Sequence, residues 1–178
     1  MSLKEKYNKE ILPKLKENLG YTNNLMAPKI LKVVLNVGFG KFTKDKDHVA
    51  GAHRTLTTIS GQRAVYTKAK KSISAFKVRE GQTVGAMVTL RGDRMYDFIE
   101  KLVNIYFPRI KDFRGINLSS IDKAGNLSVG FKENLSFSEI KEEDNIPLHG
   151  LEVNITTSAK TKKEGEELFK LMGFPFKK

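Results

Sequence analysis

The 178-residue sequence contains no cysteine. This absence excludes disulfide bonds, thiolate zinc sites and cysteine nucleophiles, and it is typical of proteins from a reducing compartment. No apolar run approaches the ~20 residues that a helix needs to cross a bilayer. The N-terminal segment MSLKEKYNKE is charged where a secretory signal peptide is apolar. We therefore expect a cytoplasmic protein with no membrane association.

Motifs for nucleotide binding are incomplete. The segment NVGFGK places Gly38 and Gly40 after a strand pattern, as a dinucleotide-binding fold would. However, Thr43 occupies the position of the third glycine, no acid lies near residue 58, and no GxxxxGK[ST] sequence can be drawn. The two glycines fit a turn, a bulge or a close approach of an RNA backbone better. We expect no cofactor.

Catalytic and metal-binding patterns are also missing. His48 and His53 are separated by about 140° on a helix, so they do not share a metal-binding face, and His149 stands alone. The sequence has no GxSxG motif, and its acids cluster in the C-terminal third without a paired-carboxylate pattern. These absences argue against an enzyme and against a metal site.

Positive charge is concentrated in one region. Residues 60–92 carry seven lysines and arginines and one acid, which is half of the formal net charge of +12. Clustered cations release counterions from a phosphate backbone, so this region favours a nucleic-acid partner. A solvated lysine face is the alternative interpretation. The near-neutral C-terminal half is left for packing or for another partner.

Hydrophobic periodicity predicts four helices. The first follows Leu3, Tyr7, Ile11, Leu15 and Leu19 and ends at Gly20. Pro13 conflicts with this prediction, because proline is unfavourable inside a helix. The others cover 49–59, 93–107 and 161–172. We expect Asp93 to cap the third and Pro108 to stop it, and Thr161 with Glu164 to form a capping box for the last.

Alternating apolar residues predict strands over 30–37, 62–67, 83–91, 127–131 and 151–155. In the first, Leu31, Val33, Leu35 and Val37 form the core side. Because every strand alternates, helices should cover one face of the sheet and leave the other open. We predict an α+β protein with two layers, a mainly antiparallel sheet and an open polar face. Residues 1–178 are expected to form a single domain.

The open face has a coherent chemistry. It is expected to present five polar or basic side chains whose amides, hydroxyls and guanidinium group suit folded RNA. The alternative is that any open sheet face must be polar for solubility. The residues are Lys32, Asn36, Gln62, Thr89 and Arg91.

A long basic connection follows the second strand, at about residues 68–80. Connections of this length without secondary structure are usually functional or disordered, so we expect a flexible loop that becomes ordered against phosphate. We call it the basic loop. Its candidate RNA-binding residues are Lys68, Lys70, Lys71, Ser72, Ser74, Lys77 and Arg79.

Three separated blocks resemble the bacterial L-five ribosomal protein family. They are KILKVVLNVGFG, LTTISGQRAVYTKAKKS and AFKVREGQTVGAMVTLRG, and the similarity extends to the closing GFPF at 173–176. The resemblance implies a structural RNA-binding protein that binds 5S rRNA in the central protuberance of the large subunit, beside large-subunit rRNA. It also implies contacts of the basic loop with peptidyl-site tRNA, and of the chain with a protein of the small-subunit head.

Three hypotheses therefore stay open. The first is a ribosomal protein, monomeric when free. The second is a non-ribosomal RNA-binding adaptor of the same fold, which co-sedimentation with large subunits would distinguish. The third is a basic enzyme or membrane-surface protein, which would need a strongly amphipathic basic helix. The apolar stripe of the N-terminal helix fits a core better.

Overall fold

A five-stranded sheet forms the framework of the protein. The computed structural model describes residues 2–40, 42–43, 45–140 and 148–177. The strands are β1 (Ile30–Gly38), β2 (Val65–Lys68), β3 (Thr83–Leu90), β4 (Leu127–Phe131) and β5 (Leu151–Thr157), in the order β2-β3-β1-β5-β4. The sheet is antiparallel and is combined with helices, which confirms the predicted α+β class.

The first helical segment accommodates Pro13 by changing its hydrogen-bonding pattern. It consists of α1 (Leu3–Lys6), a π-helical turn (Tyr7–Ile11) and α2 (Leu12–Leu19). The N–H of Leu12 donates to the carbonyl of Tyr7, five residues earlier. Pro13 then lies in the first turn of α2, directly after the π-helical turn. Leu3, Tyr7, Ile11 and Leu15 are buried as predicted.

The same arrangement recurs around Pro108 and corrects a prediction. After α4 (Gly92–Lys101), a π-helical turn (Leu102–Tyr106) leads into α5 (Phe107–Arg109), so the helix does not stop at the proline. The N–H of Phe107 donates to the carbonyl of Leu102, and Pro108 again lies in the first turn that follows. The expectation that Pro108 ends this helix is therefore wrong.

The predicted cap of α4 is also wrong. Arg91 occupies the N-cap position without a side-chain bond to the backbone. Asp93 lies inside the first turn, where its carboxylate accepts a bond from Nζ of Lys4 at 2.6 Å. A carboxylate at this position still interacts favourably with the helix dipole. The sequence identified the right terminus but assigned the wrong role to Asp93.

The two remaining helices begin and end close to the predicted positions. Asp45 caps α3 (Lys46–Ser60) by accepting from the N–H groups of Asp47 and His48, and left-handed Gly61 closes it. Thr161 caps α6 (Lys162–Leu171) by accepting from the N–H of Glu164. The Glu164 carboxylate accepts from the N–H of Lys160 at 2.8 Å. The capping box of Thr161 and Glu164 acts within one turn, which is why the sequence reveals it, whereas the cap by Asp45 was not predicted.

Strand β1 departs from the prediction at its first residues. Val33, Leu35 and Val37 are buried, as expected, but Leu31 is 42% exposed while Ile30 is 4% exposed. Adjacent residues of a strand point to opposite faces. Ile30 is therefore buried on the face opposite to the one on which Val33, Leu35 and Val37 are buried. The assignment of Leu31 to the core is wrong.

The chain divides into two compact units. One comprises Met1–Val33, Leu90–Val129 and Asn154–Lys178, and the other comprises Val34–Thr89 and Gly130–Val153. The single domain over residues 1–178 stays a prediction. Within the described ranges, no helix combines the length and apolarity that spanning a membrane requires.

Candidate nucleic-acid interface

Three of the five predicted sheet-face residues lie in the second unit. Asn36 is on β1 and Thr89 on β3, and both side chains are half-buried on the uncovered face. Gln62 is not in a strand, because β2 begins at Val65, which corrects the predicted extended segment. Its Nε2 nevertheless donates to the carbonyl oxygen of Thr89 at 3.4 Å. The structure therefore brings Gln62 and Thr89 together.

The turn that carries Gln62 is held by its neighbours. The N–H of Gln62 donates to Oγ of Ser60 at 3.2 Å, and the Ser60 hydroxyl donates to the carbonyl of Leu56 at 2.6 Å. Because Ser60 is the last residue of α3, these bonds fix the backbone at Gln62 next to the end of this helix. The side-chain amide of Gln62 is oriented by its bond to the Thr89 carbonyl.

The open face also has an apolar component that the sequence did not show. In the β2–β3 register, Val65 pairs with Met87 and Thr67 with Gly85, and paired residues share a face. Val65 is 65% exposed. Such a surface offers packing area beside the hydrogen-bonding groups of Thr67 and Thr89. The sequence pattern missed Val65 and Thr67 because it does not reveal the register.

Gly85 leaves room for its own neighbours in the sheet. A Cβ atom at Gly85 would lie 2.7 Å from Oγ1 of Thr67 and 2.9 Å from the carbonyl oxygen of Val37. Both distances are far shorter than ordinary contacts, so no side chain fits there. The Thr67 hydroxyl and the Val37 carbonyl fill this space, and Gly85 itself is buried, so the glycine is required by packing within the sheet.

Lys32 and Arg91 belong to the first unit. Lys32 is half-buried on β1, on the same face of that strand as Val34. Arg91 follows the last residue of β3 and is exposed. The backbone of Arg91 is extended, with φ of −141° and ψ of 166°. It therefore continues the geometry of β3, although the hydrogen-bonded strand ends at Leu90. Its guanidinium group is available for a bidentate contact.

The basic loop has backbone structure of its own, contrary to the expectation of a connection without secondary structure. Ile73 and Val78 exchange two backbone hydrogen bonds, and Ser74–Phe76 forms a 3-10 turn between them. Closer to the sheet, the N–H of Ala69 donates to the carbonyl of Gln82 at 2.8 Å. The loop is therefore an irregular hairpin that extends β2 and β3.

All seven candidate residues of the basic loop are exposed. The Ser72 hydroxyl accepts from the N–H of Glu80, which places the one acid of the region in the base of the hairpin. Lys77 is left-handed, with φ of 53°, at the tip. Phe76 beside it is 74% exposed. Cations around an exposed aromatic ring are the combination that binds unpaired nucleotides.

The histidines have structural contacts. His149 is 7% exposed, and its Nε2 lies 3.1 Å from Oγ1 of Thr55. Burial lowers the pKa of His149, and the nearby His48 ring adds to this. His53 stacks on Tyr66 and contacts the carbonyl of Ala64. Among the described residues, no three histidines, aspartates or glutamates come together as metal ligands.

An antiparallel sheet with an uncovered, hydrogen-bonding face and a cation-rich hairpin defines a basic α+β protein of the nucleic-acid-binding kind. Comparison with known proteins identifies the family. A family model described as ribosomal protein L5 matches residues 23–79, and a second model, which describes the C-terminus of the same ribosomal family, matches residues 83–176.

Individual relatives match the chain from end to end. The large ribosomal subunit protein uL5 of Desulfotalea psychrophila is 52% identical over 177 residues, covering 99% of each chain. The protein of the same name from Fervidobacterium nodosum is 49% identical over 176 residues, covering 99% of this chain and 96% of its own. The chain belongs to the ribosomal protein L5 family, which confirms the L-five resemblance. These relatives are structural ribosomal proteins and not enzymes, as expected for this chain.

Proposed function

We propose that the protein is a structural component of the large ribosomal subunit that binds 5S rRNA through its open sheet face, beside large-subunit rRNA. In this proposal, Lys32, Asn36, Gln62, Thr89 and Arg91 contact the 5S rRNA. The basic loop contacts peptidyl-site tRNA, and the near-neutral C-terminal half meets a protein of the small-subunit head. The site of action is the ribosome in the cytoplasm, and the protein is monomeric when free.

The observation that carries the proposal is the position of Gln62 beside Thr89, where the Gln62 side-chain amide donates to the Thr89 backbone carbonyl. A-form RNA displays 2′-hydroxyls and base edges in a wide, shallow groove, where side chains that both donate and accept are useful. The Gln62 amide, which is bonded to the Thr89 carbonyl, and the Thr89 hydroxyl are groups of this kind.

The proposal predicts a specific preference for 5S rRNA. The affinities for 5S rRNA and for an unrelated folded RNA of equal length are measured across a salt titration. We expect at least about a hundredfold preference that survives moderate salt, because base-edge and ribose contacts do not depend on counterion release. Equal affinities that fall together with salt would contradict the proposal. They would favour the alternative of a non-ribosomal RNA-binding adaptor.

We expect the cations of the basic loop to make a salt-sensitive contribution to RNA binding. Replacing Lys70, Lys71 and Lys77 together by alanine should reduce the slope of log K against log salt by up to about 3 units. All three side chains are exposed, so the fold should be unaffected. Binding of the variant to deacylated tRNA and to 5S rRNA is measured at several salt concentrations. An unchanged slope on both RNAs would remove the loop from the proposal.

A further inference from the structure

Two buried histidines join α3 to the chain that precedes β5. His48 lies near the start of α3, and His149 lies two residues before β5 begins. The two residues are 6% and 7% exposed, and the centroids of their rings lie 6.2 Å apart. Because the charge of histidine changes close to neutral pH, a buried pair is a contact that responds to protons.

Thr55 fastens His149 to the middle of α3. Nε2 of His149 lies 3.1 Å from Oγ1 of Thr55, which is fully buried. The Thr55 hydroxyl donates to the carbonyl of Gly51 at 3.1 Å, one turn earlier in the helix. Nδ1 of His149 lies 3.2 Å from the carbonyl oxygen of Gly150. A neutral imidazole has one N–H donor and one acceptor nitrogen, so it bonds here without a counter-charge.

His149 is the side chain that holds this part of the chain on α3. Leu148 and Gly150 on either side of it are exposed, and β5 begins only at Leu151. Of residues 148–150, His149 alone is buried. When its ring is released, these three residues can therefore leave α3 without unpairing β5.

The charged side chains on the surrounding elements do not form a buried pair with the two rings. His53 of α3 stacks on Tyr66, the Glu139 carboxylate accepts from the Ser138 hydroxyl at 3.1 Å, and Asp45 caps α3. Other charged residues on α3, after β4 and on β5 are exposed, namely Lys46, Asp47, Arg54, Lys132, Glu133 and Glu152. Among the described residues no carboxylate is buried, so none is in place to neutralise a buried imidazolium.

Acidification acts against the closed arrangement, in which the His149 ring lies on α3. Burial lowers the pKa of His149, the Gly150 carbonyl raises it, and the His48 ring lowers it, with a net lowering. A released ring has the ordinary histidine pKa of about 6.5. The released state therefore binds more protons than the closed state below about pH 6.5. The closed state is fully favoured above this pH and loses stability as the pH falls towards the lower pKa of the buried ring.

We propose that His149, His48 and Thr55 form a proton-sensitive latch. With both rings neutral, the latch holds residues 148–150 on α3, and uptake of a proton by the pair releases them. The latch makes the course of the chain before β5 depend on pH. It involves none of the RNA contacts proposed above and is independent of them.

Hydrogen exchange of the backbone amides of residues 148–151, in the full-length protein, tests the latch. Wild-type exchange, relative to His149→Gln at the same pH, should rise by up to about tenfold per pH unit below about pH 6.5, the factor for one proton taken up on release. Glutamine keeps an N–H donor for Thr55 and does not titrate. His53→Gln, in the same helix, is the matched control for the loss of a histidine outside the pair.

A second variant tests the bond itself. Thr55→Val keeps the shape of the side chain but removes the hydroxyl, so the amides of residues 148–151 should exchange faster than in the wild type already at neutral pH. Exchange of Thr55→Val at the wild-type rate would show that Thr55 does not hold His149.

Three further results would overturn the inference. The first is the same pH dependence of exchange in the wild type and in His149→Gln. The second is a His53→Gln protein whose pH dependence changes as much as that of His149→Gln. The third is an NMR titration in which the His149 ring takes up its proton at or above the ordinary histidine pKa, whereas we expect it below. The preference for 5S rRNA is measured separately, so the proposed function stands or falls without the latch.

Discussion

Replacing Gly165 by alanine should destabilise the protein, although alanine is the better helix former. Gly165 lies in α6 and packs against the turn at Gly125, where a Cβ atom would lie 2.5 Å from the Gly125 Cα and 2.6 Å from its carbonyl oxygen. Both neighbours are backbone atoms and cannot rotate away. Overpacking of this kind typically costs about 1–3 kcal/mol or more, against about 1 kcal/mol of helix propensity gained. We expect the free energy of unfolding to fall by about 2 kcal/mol.

The turn at Gly125 cannot move to relieve this contact. Gly125 has a φ of +76°, and its carbonyl accepts from the Thr157 hydroxyl at 2.9 Å. Asn126 in the same turn is bonded to Asp122 and to the N–H of Thr157. Urea unfolding of Gly165→Ala is compared with Gly130→Ala, where the added methyl group has no neighbour within 4 Å. A Gly165→Ala protein as stable as the Gly130→Ala control would contradict the expectation.

Local chemistry explains which parts of the fold the sequence revealed. The cap of α6 depends on the Thr161 side chain and the N–H of Glu164 three residues later, so the pattern predicts it. The course of the chain past Pro108 depends on contacts distant in sequence. Phe107 stacks on Phe113 with ring centroids 5.3 Å apart and also meets Phe174. The sequence pattern around a proline contains no information about such distant contacts, and the helix extends to Arg109.

The placement of three candidate residues on their strands was predictable, but the arrangement around Gln62 was not. Alternation placed Lys32, Asn36 and Thr89 on the uncovered side of their strands, where all three side chains are half-buried. Gln62 was assigned to a strand, whereas a turn at the end of α3 holds it beside Thr89. The β2–β3 register places Val65 on the same face, opposite Met87. Register is a property of two strands, and a single strand's pattern does not contain it.

Arg91→Ala should weaken specific 5S rRNA binding by about 1–3 kcal/mol without unfolding the protein. Arg91 is exposed and makes no capping bond to α4, so its removal leaves the helix start unchanged. The physical reason for the loss is the planar guanidinium fork, which can pair with two acceptors of a base edge or a phosphate at once.

The measurement separates a base contact from a phosphate contact. Arg91→Lys keeps the charge but loses the fork, and Arg94→Ala removes another exposed arginine from the first turn of α4. If Arg91 reads a base edge, both Arg91 variants lose the preference for 5S rRNA over unrelated RNA, while Arg94→Ala retains it. An equal loss on every RNA, rescued by lysine, would show that Arg91 contributes charge alone. Specificity would then depend on the Gln62 side-chain amide and the Thr89 hydroxyl.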